Sequence, residues 1–218
     1  MGTRKKYTLC EVLTAYTIGA LLGYVIGSFP TAYLLVQWKA KIDIRQAGSG
    51  NVGTLNAMEV TGSKGLGIAV LIIDVLKGAF AVVLTMVLFG QQFWIMGIAG
   101  LSTIAGHSFP VWLKFKGGRG LATAAGVFMT LGWIFIVVWV VVWVVSYLPF
   151  RKVHAGNIVA SMISPIVIAG VPESTLSQTL PGFTSATNLL YFSIAFCALV
   201  LVTHRETVAL FMKRTRSL

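Results

Sequence analysis

The 218-residue chain carries 56% hydrophobic and only 11% charged residues, where an ordinary soluble domain has roughly 45–50% apolar and about 25% charged. Its apolar stretches are too long for soluble core helices, so residues 1–218 read as one integral membrane domain; a soluble enzyme, a secreted disulfide scaffold and a disordered tail are excluded. The net charge of +11 sits in short loops between apolar runs, which points to membrane orientation and away from nucleic acid as a partner.

The basic start of the chain has no small-residue cleavage site behind a short apolar core, and is read as leading into a retained first span. Apolar stretches cover residues 12–38, 65–90, 93–113, 121–150, 155–171 and 188–203. Cys10 and Cys197 lie far apart in or beside these stretches, so neither a disulfide nor a metal site is read from them. Thirteen of the 17 basic residues fall in four places: Lys39, Lys41, Arg45 and Lys64; Lys114, Lys116 and Arg119; Arg151 and Lys152; and Arg205, Lys213, Arg214 and Arg216. The connections at Gln91-Gln92 and 172–187 carry none. If basic loops share the cytoplasmic side, the chain enters and leaves the membrane between Arg119 and Arg151. The stretch 121–150 then forms two short or bent helices that break near Leu131-Gly132-Trp133. An all-α polytopic protein of seven transmembrane helices, some short, follows, with its amino terminus outside. Arg4, Lys5 and Lys6 run against that order, and six spans remain the alternative. Trp38, Trp94 and Trp112 lie near predicted span ends, as interfacial aromatics do.

Residues Gly48-Ser49-Gly50-Asn51-Val52-Gly53-Thr54-Leu55-Asn56 contain G-x-G-x-x-G formally, but a membrane helix and a polar linker precede them. The dinucleotide reading fails for want of a βαβ unit, and no nucleotide P-loop sequence occurs. Such a glycine loop can still turn successive N–H groups onto one anion, with Ser49, Asn51 and Asn56 adding donors; a flexible turn packed against helices is the plainer alternative. A second cluster runs Gly106-His107-Ser108-Phe109-Pro110 and then Lys114-Phe115-Lys116-Gly117-Gly118-Arg119-Gly120. Its cations fit membrane orientation alone, but Gly-Gly-x-Gly at a helix start favours an anion as well. Asp74 and Lys77 share a helix face at i, i+3 and are read as a paired structural couple inside the bundle. His204 opens the tail directly after the last span. No G-x-S-x-G, H-E-x-x-H or His-x4-Asp signature is present.

Six segments, taken together, carry a resemblance. They are Gly27-Ser28-Phe29-Pro30, Gly48-Ser49-Gly50-Asn51-Val52-Gly53-x-x-Asn56, Asp74-Val75-Leu76-Lys77-Gly78, Gly106-His107-x-Phe109-Pro110, Phe115-Lys116-Gly117-Gly118-Arg119-Gly120-x-Ala122-Thr123 and His204-Arg205-Glu206. In order and spacing the series resembles the bacterial acyl-phosphate-dependent glycerol-3-phosphate acyltransferases of the PlsY type. The resemblance implies a seven-helix enzyme of the bacterial inner (plasma) membrane with its active site facing the cytoplasm. Such enzymes move a fatty acyl group from acyl phosphate to the 1-hydroxyl of glycerol 3-phosphate, giving lysophosphatidic acid for phospholipid synthesis. No metal, nucleotide or coenzyme A is implied, and the protein is expected to work as a monomer among membrane lipids. The resemblance assigns His204 and Asn157 to catalysis. To substrate binding it assigns Arg45, Gly48, Ser49, Gly50, Asn51, Gly53, Asn56, His107, Lys116, Gly117, Gly118, Arg119 and Thr207.

Departures from the family pattern fall mainly on the acceptor side. Glu59 stands where the family has a phosphate-binding Arg, and Arg119 replaces the Lys of its Gly-Gly-Lys-Gly loop. Thr207 replaces an Asn, Leu210 a later Arg, and Val153-His154-Ala155-Gly156-Asn157 stands for a Ser-containing loop. An acyltransferase of this family with a different acceptor, and a non-enzymatic lipid-phosphate carrier supported by Asp74 and Lys77, are the alternatives. Obvious inverted repeats, which a carrier would suggest, are absent. The charge pattern predicts that an impermeant thiol reagent added outside labels Ser177→Cys and not Lys152→Cys; labelling at 152 overturns the seven-span order.

Overall fold

The computed structural model describes residues 8–205, so the expected binder Thr207 lies outside the described residues. The α-helices of the described residues are α1 (Leu9–Gly27), α2 (Thr31–Ala40), α3 (Thr54–Thr61), α4 (Lys64–Phe89), α5 (Phe93–Ser108), α6 (Leu121–Leu131), α7 (Trp133–Phe150), α8 (Val153–Ala169), α9 (Glu173–Thr179) and α10 (Ala186–Thr203). A capping box starts α1: the Glu11 N–H donates to Thr8 Oγ1 at 3.3 Å, and the Thr8 N–H to Glu11 Oε2 at 2.7 Å.

The first apolar stretch is not one helix. It breaks at Ser28-Phe29-Pro30 because Pro30 lacks an N–H and disfavours helical geometry at the residue before it. The stretch 121–150 breaks at Gly132, where loop charge places the break, and its backbone there packs on Thr179 and Leu180. By length and composition three stretches can cross a membrane: Leu9–Ala40, α4 and α10. A fourth is added if Ala155–Ala169 and Glu173–Thr179, bent by 116°, count together. Seven is therefore not the number that length gives, since α5 has 16 residues and α6 only 11. The connection 172–187 also contains α9, which the sequence reading leaves as a loop.

Between helices in lipid, small residues let backbones touch where no hydrophobic drive exists. Gly19, Gly23 and Gly27 lie four apart on α1, and a Cβ at Gly23 or Gly27 would overlap the carbonyl of Ala99 or Thr103 on α5. Gly78 and Gly126 bring α4 and α6 together in the same way, against the Thr123 and Val75 carbonyls. This register runs α1 parallel to α5, with α6 antiparallel to α5 (Gly120 beside Ile104, Val127 beside Gly100). Across α7 and α8, Trp139 Nε1 donates to Ser161 Oγ at 3.1 Å and Trp143 Nε1 to Asn157 Oδ1 at 2.7 Å. Pro165 leaves the Ser161 carbonyl without its helical donor, and Cys197 Sγ on α10 supplies one at 3.3 Å.

One end of the bundle thus gathers the segments 41–53 and 109–120, the start of α8 and the end of α10. The opposite end gathers 90–92, Gly132 and α9, with Gly182 against the Gln91 carbonyl. Replacing Gly23 by Val is expected to destabilise the detergent-solubilised protein by about 1–3 kcal/mol or more through overpacking. Gly65→Ala, at a helical site with open space around it, should instead gain about 0.5–1 kcal/mol. Thermal unfolding measures both, and parent-like stability of Gly23→Val would contradict the α1–α5 contact.

Candidate active site

The first glycine loop is built around Asn56. Its buried side chain accepts the Ser49 N–H at 2.9 Å and donates to the carbonyls of Ile44 (3.2 Å), Ala47 (3.1 Å) and Asn51 (3.0 Å). With its amide donors so committed, Asn56 shapes the loop and has none left for an anion. The left-handed turns at Gly48 (φ 56°) and Gly50 (φ 70°) suit glycine, and a Cβ at Gly48 would strike Asn56 Oδ1. The N–H groups of Gly50 and Gly53 bond within the loop, to Ala47 and Asn51. The expected ring of convergent loop amides is therefore largely spent inside the turn. What the segment offers an anion is the exposed Ser49 hydroxyl, the Asn51 side chain and the first-turn N–H groups of α3.

Arg45 is already engaged. Its Nε and Nη2 donate to both oxygens of Asp43, the shortest contact being 2.6 Å, and its guanidinium lies 5.1 Å from the Tyr33 ring centroid. The hydrogen bonds from Arg45 hold the Asp43 carboxyl below the usual carboxylate range, and the same contact raises Arg45. Glu59 is exposed on α3.

The second loop locks onto the first. The Val52 N–H donates to the Gly117 carbonyl at 3.4 Å, and a Cβ at Gly118 would collide with both the Val52 carbonyl and His107 Nε2. The Gly117 and Gly118 N–H groups return to the end of α5, to the Ser108 (3.1 Å) and His107 (3.2 Å) carbonyls. Lys114 (φ 54°) and Phe115 (φ 61°) both take left-handed backbone, a strained conformation for such side chains, just before this Gly-Gly pair. Lys114 and Lys116 are exposed, Arg119 is half-buried, and Gly120 starts α6. Tyr24 Oη donates to the Phe109 carbonyl at 2.7 Å and Trp112 Nε1 to Ser28 Oγ at 2.9 Å, tying the loop to the end of α1.

Beneath the loops, Asp74 and Lys77 pair as their spacing predicts, with Nζ 2.8 Å from Oδ1. Their neighbours carry no signal in the sequence. Lys77 Nζ also donates to the Phe29 carbonyl at 3.0 Å, and His107 Nδ1 lies 3.6 Å from Asp74 Oδ1. The structure thus joins Gly48–Gly53, Asn56, Gly117, Gly118 and His107 in one unit. His204 and Asn157 belong to α10 and α8 at the same end of the bundle. His204 is buried at the end of α10, with Nδ1 3.0 Å from the Val200 carbonyl and 3.1 Å from Thr203 Oγ1. That carbonyl can only accept, so Nδ1 carries a proton, and in the neutral ring Nε2 is the acceptor. Asn157 keeps its amide donors while its oxygen takes the Trp143 indole N–H.

The sequence model of the family described as Glycerol-3-phosphate acyltransferase matches residues 17–214. A glycerol-3-phosphate acyltransferase of Pelagibacter ubique is 38% identical over 197 residues, covering 88% of this chain and 92% of that one. Glycerol-3-phosphate acyltransferase 5 of Dehalococcoides mccartyi is 49% identical over 116 residues, 53% of this chain and 49% of that one, so this match spans about half of each. The fold matches PlsY (YgiH), an integral membrane glycerol 3-phosphate acyltransferase, in its glycerol 3-phosphate form with TM-score 0.74 and 29% identity over 91% of this chain and 92% of that one. The lysophosphatidic acid form matches at 0.73. A family match over almost the whole chain and a shared membrane fold agree with the interlocked loops: the chain belongs to the glycerol-3-phosphate acyltransferase family.

Proposed function

We propose that this protein is an enzyme of the bacterial plasma membrane, with seven membrane-spanning helices, that transfers a fatty acyl group from acyl phosphate to the 1-hydroxyl of glycerol 3-phosphate, working as a monomer with its site open to the cytoplasm. The observation that carries this reading is the interlock of two glycine-rich loops where α3 and α6 begin, beside Lys114, Lys116 and Arg119. Two phosphate-bearing substrates need two anion sites side by side, and the start of α3, with its side-chain donors, and the start of α6, with its cations, suit that need. An apolar groove runs from Leu121, next to the second loop, along Ala124, Ala125 and Phe128 and is walled by Trp139 and Phe196. It suits the acyl tail of the donor.

In this reading the acceptor hydroxyl oxygen attacks the carbonyl carbon of the mixed anhydride. A new ester C–O bond forms, the bond from the acyl carbon to the phosphate oxygen breaks, and inorganic phosphate leaves. The hydroxyl proton passes to His204 Nε2, whose lone pair the Nδ1–H contact to Val200 preserves, or to the departing phosphate. Asn157 Nδ2 is the donor for the developing oxyanion, and Ser49, Asn51, Lys116 and Arg119 hold the phosphates. The donor is already activated, so positioning carries much of the rate and no covalent nucleophile or metal is called for.

The purified protein in detergent is expected to release inorganic phosphate from acyl phosphate only when glycerol 3-phosphate is present, forming lysophosphatidic acid. His204→Gln should lower kcat by about 10²–10⁴-fold, the usual weight of a general base, with little loss of thermal stability. Acceptor-independent phosphate release, or turnover with acyl-coenzyme A alone, would overturn the assignment.

The acceptor side supports a second reading, that selectivity for glycerol 3-phosphate is weakened or altered. Glu59 brings a negative charge where the family pattern has an Arg, and Arg45 is neutralised by Asp43. Glu59→Arg should then raise kcat/KM for glycerol 3-phosphate. Efficient use of glycerol 3-phosphate by the parent, with no gain in Glu59→Arg, would rule out altered selectivity.

A further inference from the structure

Asp74 and Lys77 take no part in the chemistry above, yet both are buried inside the bundle directly beneath the site, with side-chain exposures of 2% and 7%. Removing two charges from water is expensive, and an apolar pair of similar volume would often hold the helices equally well or better. Helix packing alone therefore does not account for them. Their contacts offer another account. Asp74 Oδ1 is shared between Lys77 Nζ at 2.8 Å and His107 Nδ1 at 3.6 Å. Lys77 is tethered in turn to the Phe29 carbonyl, at the break that Pro30 forces between α1 and α2. On its other edge the His107 ring abuts Gly118 through Nε2, and the His107 carbonyl accepts the Gly118 N–H.

We infer that the Asp74–Lys77 pair is a positioning device that fixes the Gly117-Gly118 loop by orienting His107. The terminal torsion of a histidine side chain is broad and roughly two-fold. An anionic oxygen beside Nδ1 selects one of the two ring orientations, and Lys77 holds that oxygen by bridging it to a fixed backbone carbonyl. The selected orientation puts Nε2 against the one residue in the loop whose added Cβ would meet both the ring and the Val52 carbonyl. A ring no longer held in this seat would let Gly118 shift and, with it, the Gly117 carbonyl that holds the first loop. Asp74 and Lys77 therefore act on the substrates through His107 and touch none of them. What the loop binds rests on the function proposed above; the contact itself does not.

Two readouts test this, one independent of turnover. Hydrogen exchange of residues 113–118, whose amides all bond within this loop or to the end of α5, is expected to rise in Asp74→Leu/Lys77→Met while exchange in α10 stays unchanged. The same rise is expected in His107→Gln, which leaves the ion pair intact and guards against a double variant that fails to fold. Parent-like loop exchange in either folded variant overturns the inference, whether or not the parent turns over. In the kinetic arm, the apolar double variant should keep its thermal stability while kcat falls by about a hundredfold, the scale of an ångström-level misplacement. Asp74→Leu/Lys77→Met should add no further loss in the His107→Gln background. Parent-like kcat in the stable double variant, or additive losses with His107→Gln, overturns it too. A parent without turnover on any acceptor would remove the proposed function and leave the exchange result to decide the positioning.

Discussion

The site depends on the absence of a side chain at Gly118. Three things converge there: the Val52 carbonyl from the first loop, the His107 ring from α5, and the loop's own N–H returning to His107. Backbones can approach this closely only where no Cβ intervenes, and the rest of the bundle repeats the same device. Gly23 and Gly27 seat α1 on α5, and Gly78 and Gly126 seat α4 on α6. Those contacts fix the depth at which α5 ends and α6 begins, and hence where the second loop can meet the first. In a medium that gives apolar helices little reason to associate, close backbone packing is what sets such positions.

A buried polar network then gives the packing its register at the site. The Tyr24 hydroxyl on the Phe109 carbonyl, the Trp112 indole on Ser28, and Lys77 on Phe29 all reach backbone or hydroxyl groups at helix ends. Helix ends carry groups without intrahelical partners; the Tyr24 bond satisfies one at Phe109, and all three bonds tie two elements together. The Ser161 carbonyl, freed by Pro165 and taken up by Cys197, is the same solution on the other side of the bundle. The strained Lys114 and Phe115 backbone fits this picture, because it persists only where surrounding contacts over-determine it.

Much of this was legible in the sequence, and the parts that were not share a cause. Loop charge placed the break at Gly132, and i, i+3 spacing placed Lys77 on Asp74, because both are local rules. The break at Pro30 was equally local, but the apolar run through residues 12–38 masked it. Asn56 has the side chain of a good donor and so reads as a binder; only the folded loop reveals that its donors go to Ile44, Ala47 and Asn51. The pairing of Arg45 with Asp43 had a signal, an acid two residues upstream. His107 beside Asp74 had none, since the two lie on different helices. The left-handed Lys114 and Phe115 were also invisible, as neither residue type favours that conformation.

Charge distribution carries the last step. The segment 41–53 contributes only Lys41 as net positive charge, because Arg45 is cancelled by Asp43, and the nearby α3 exposes Glu59. The second loop contributes Lys114, Lys116 and Arg119 within six residues, with the start of α6 directly behind them. An anion approaching from the aqueous side is therefore drawn first toward the second loop, where cations and the helix dipole add. The first loop offers mainly hydrogen bonds, from Ser49, Asn51 and the start of α3, whose strength depends on geometry more than on distance. Such a division suits the two phosphate-bearing substrates of the proposed reaction, one drawn in by charge and the other held in place by directional donors. It also explains why the loops must be locked together: a directional site keeps its value only if its angle to the charged one is fixed, and the Val52–Gly117 bond with Gly118 wedged against His107 fixes it.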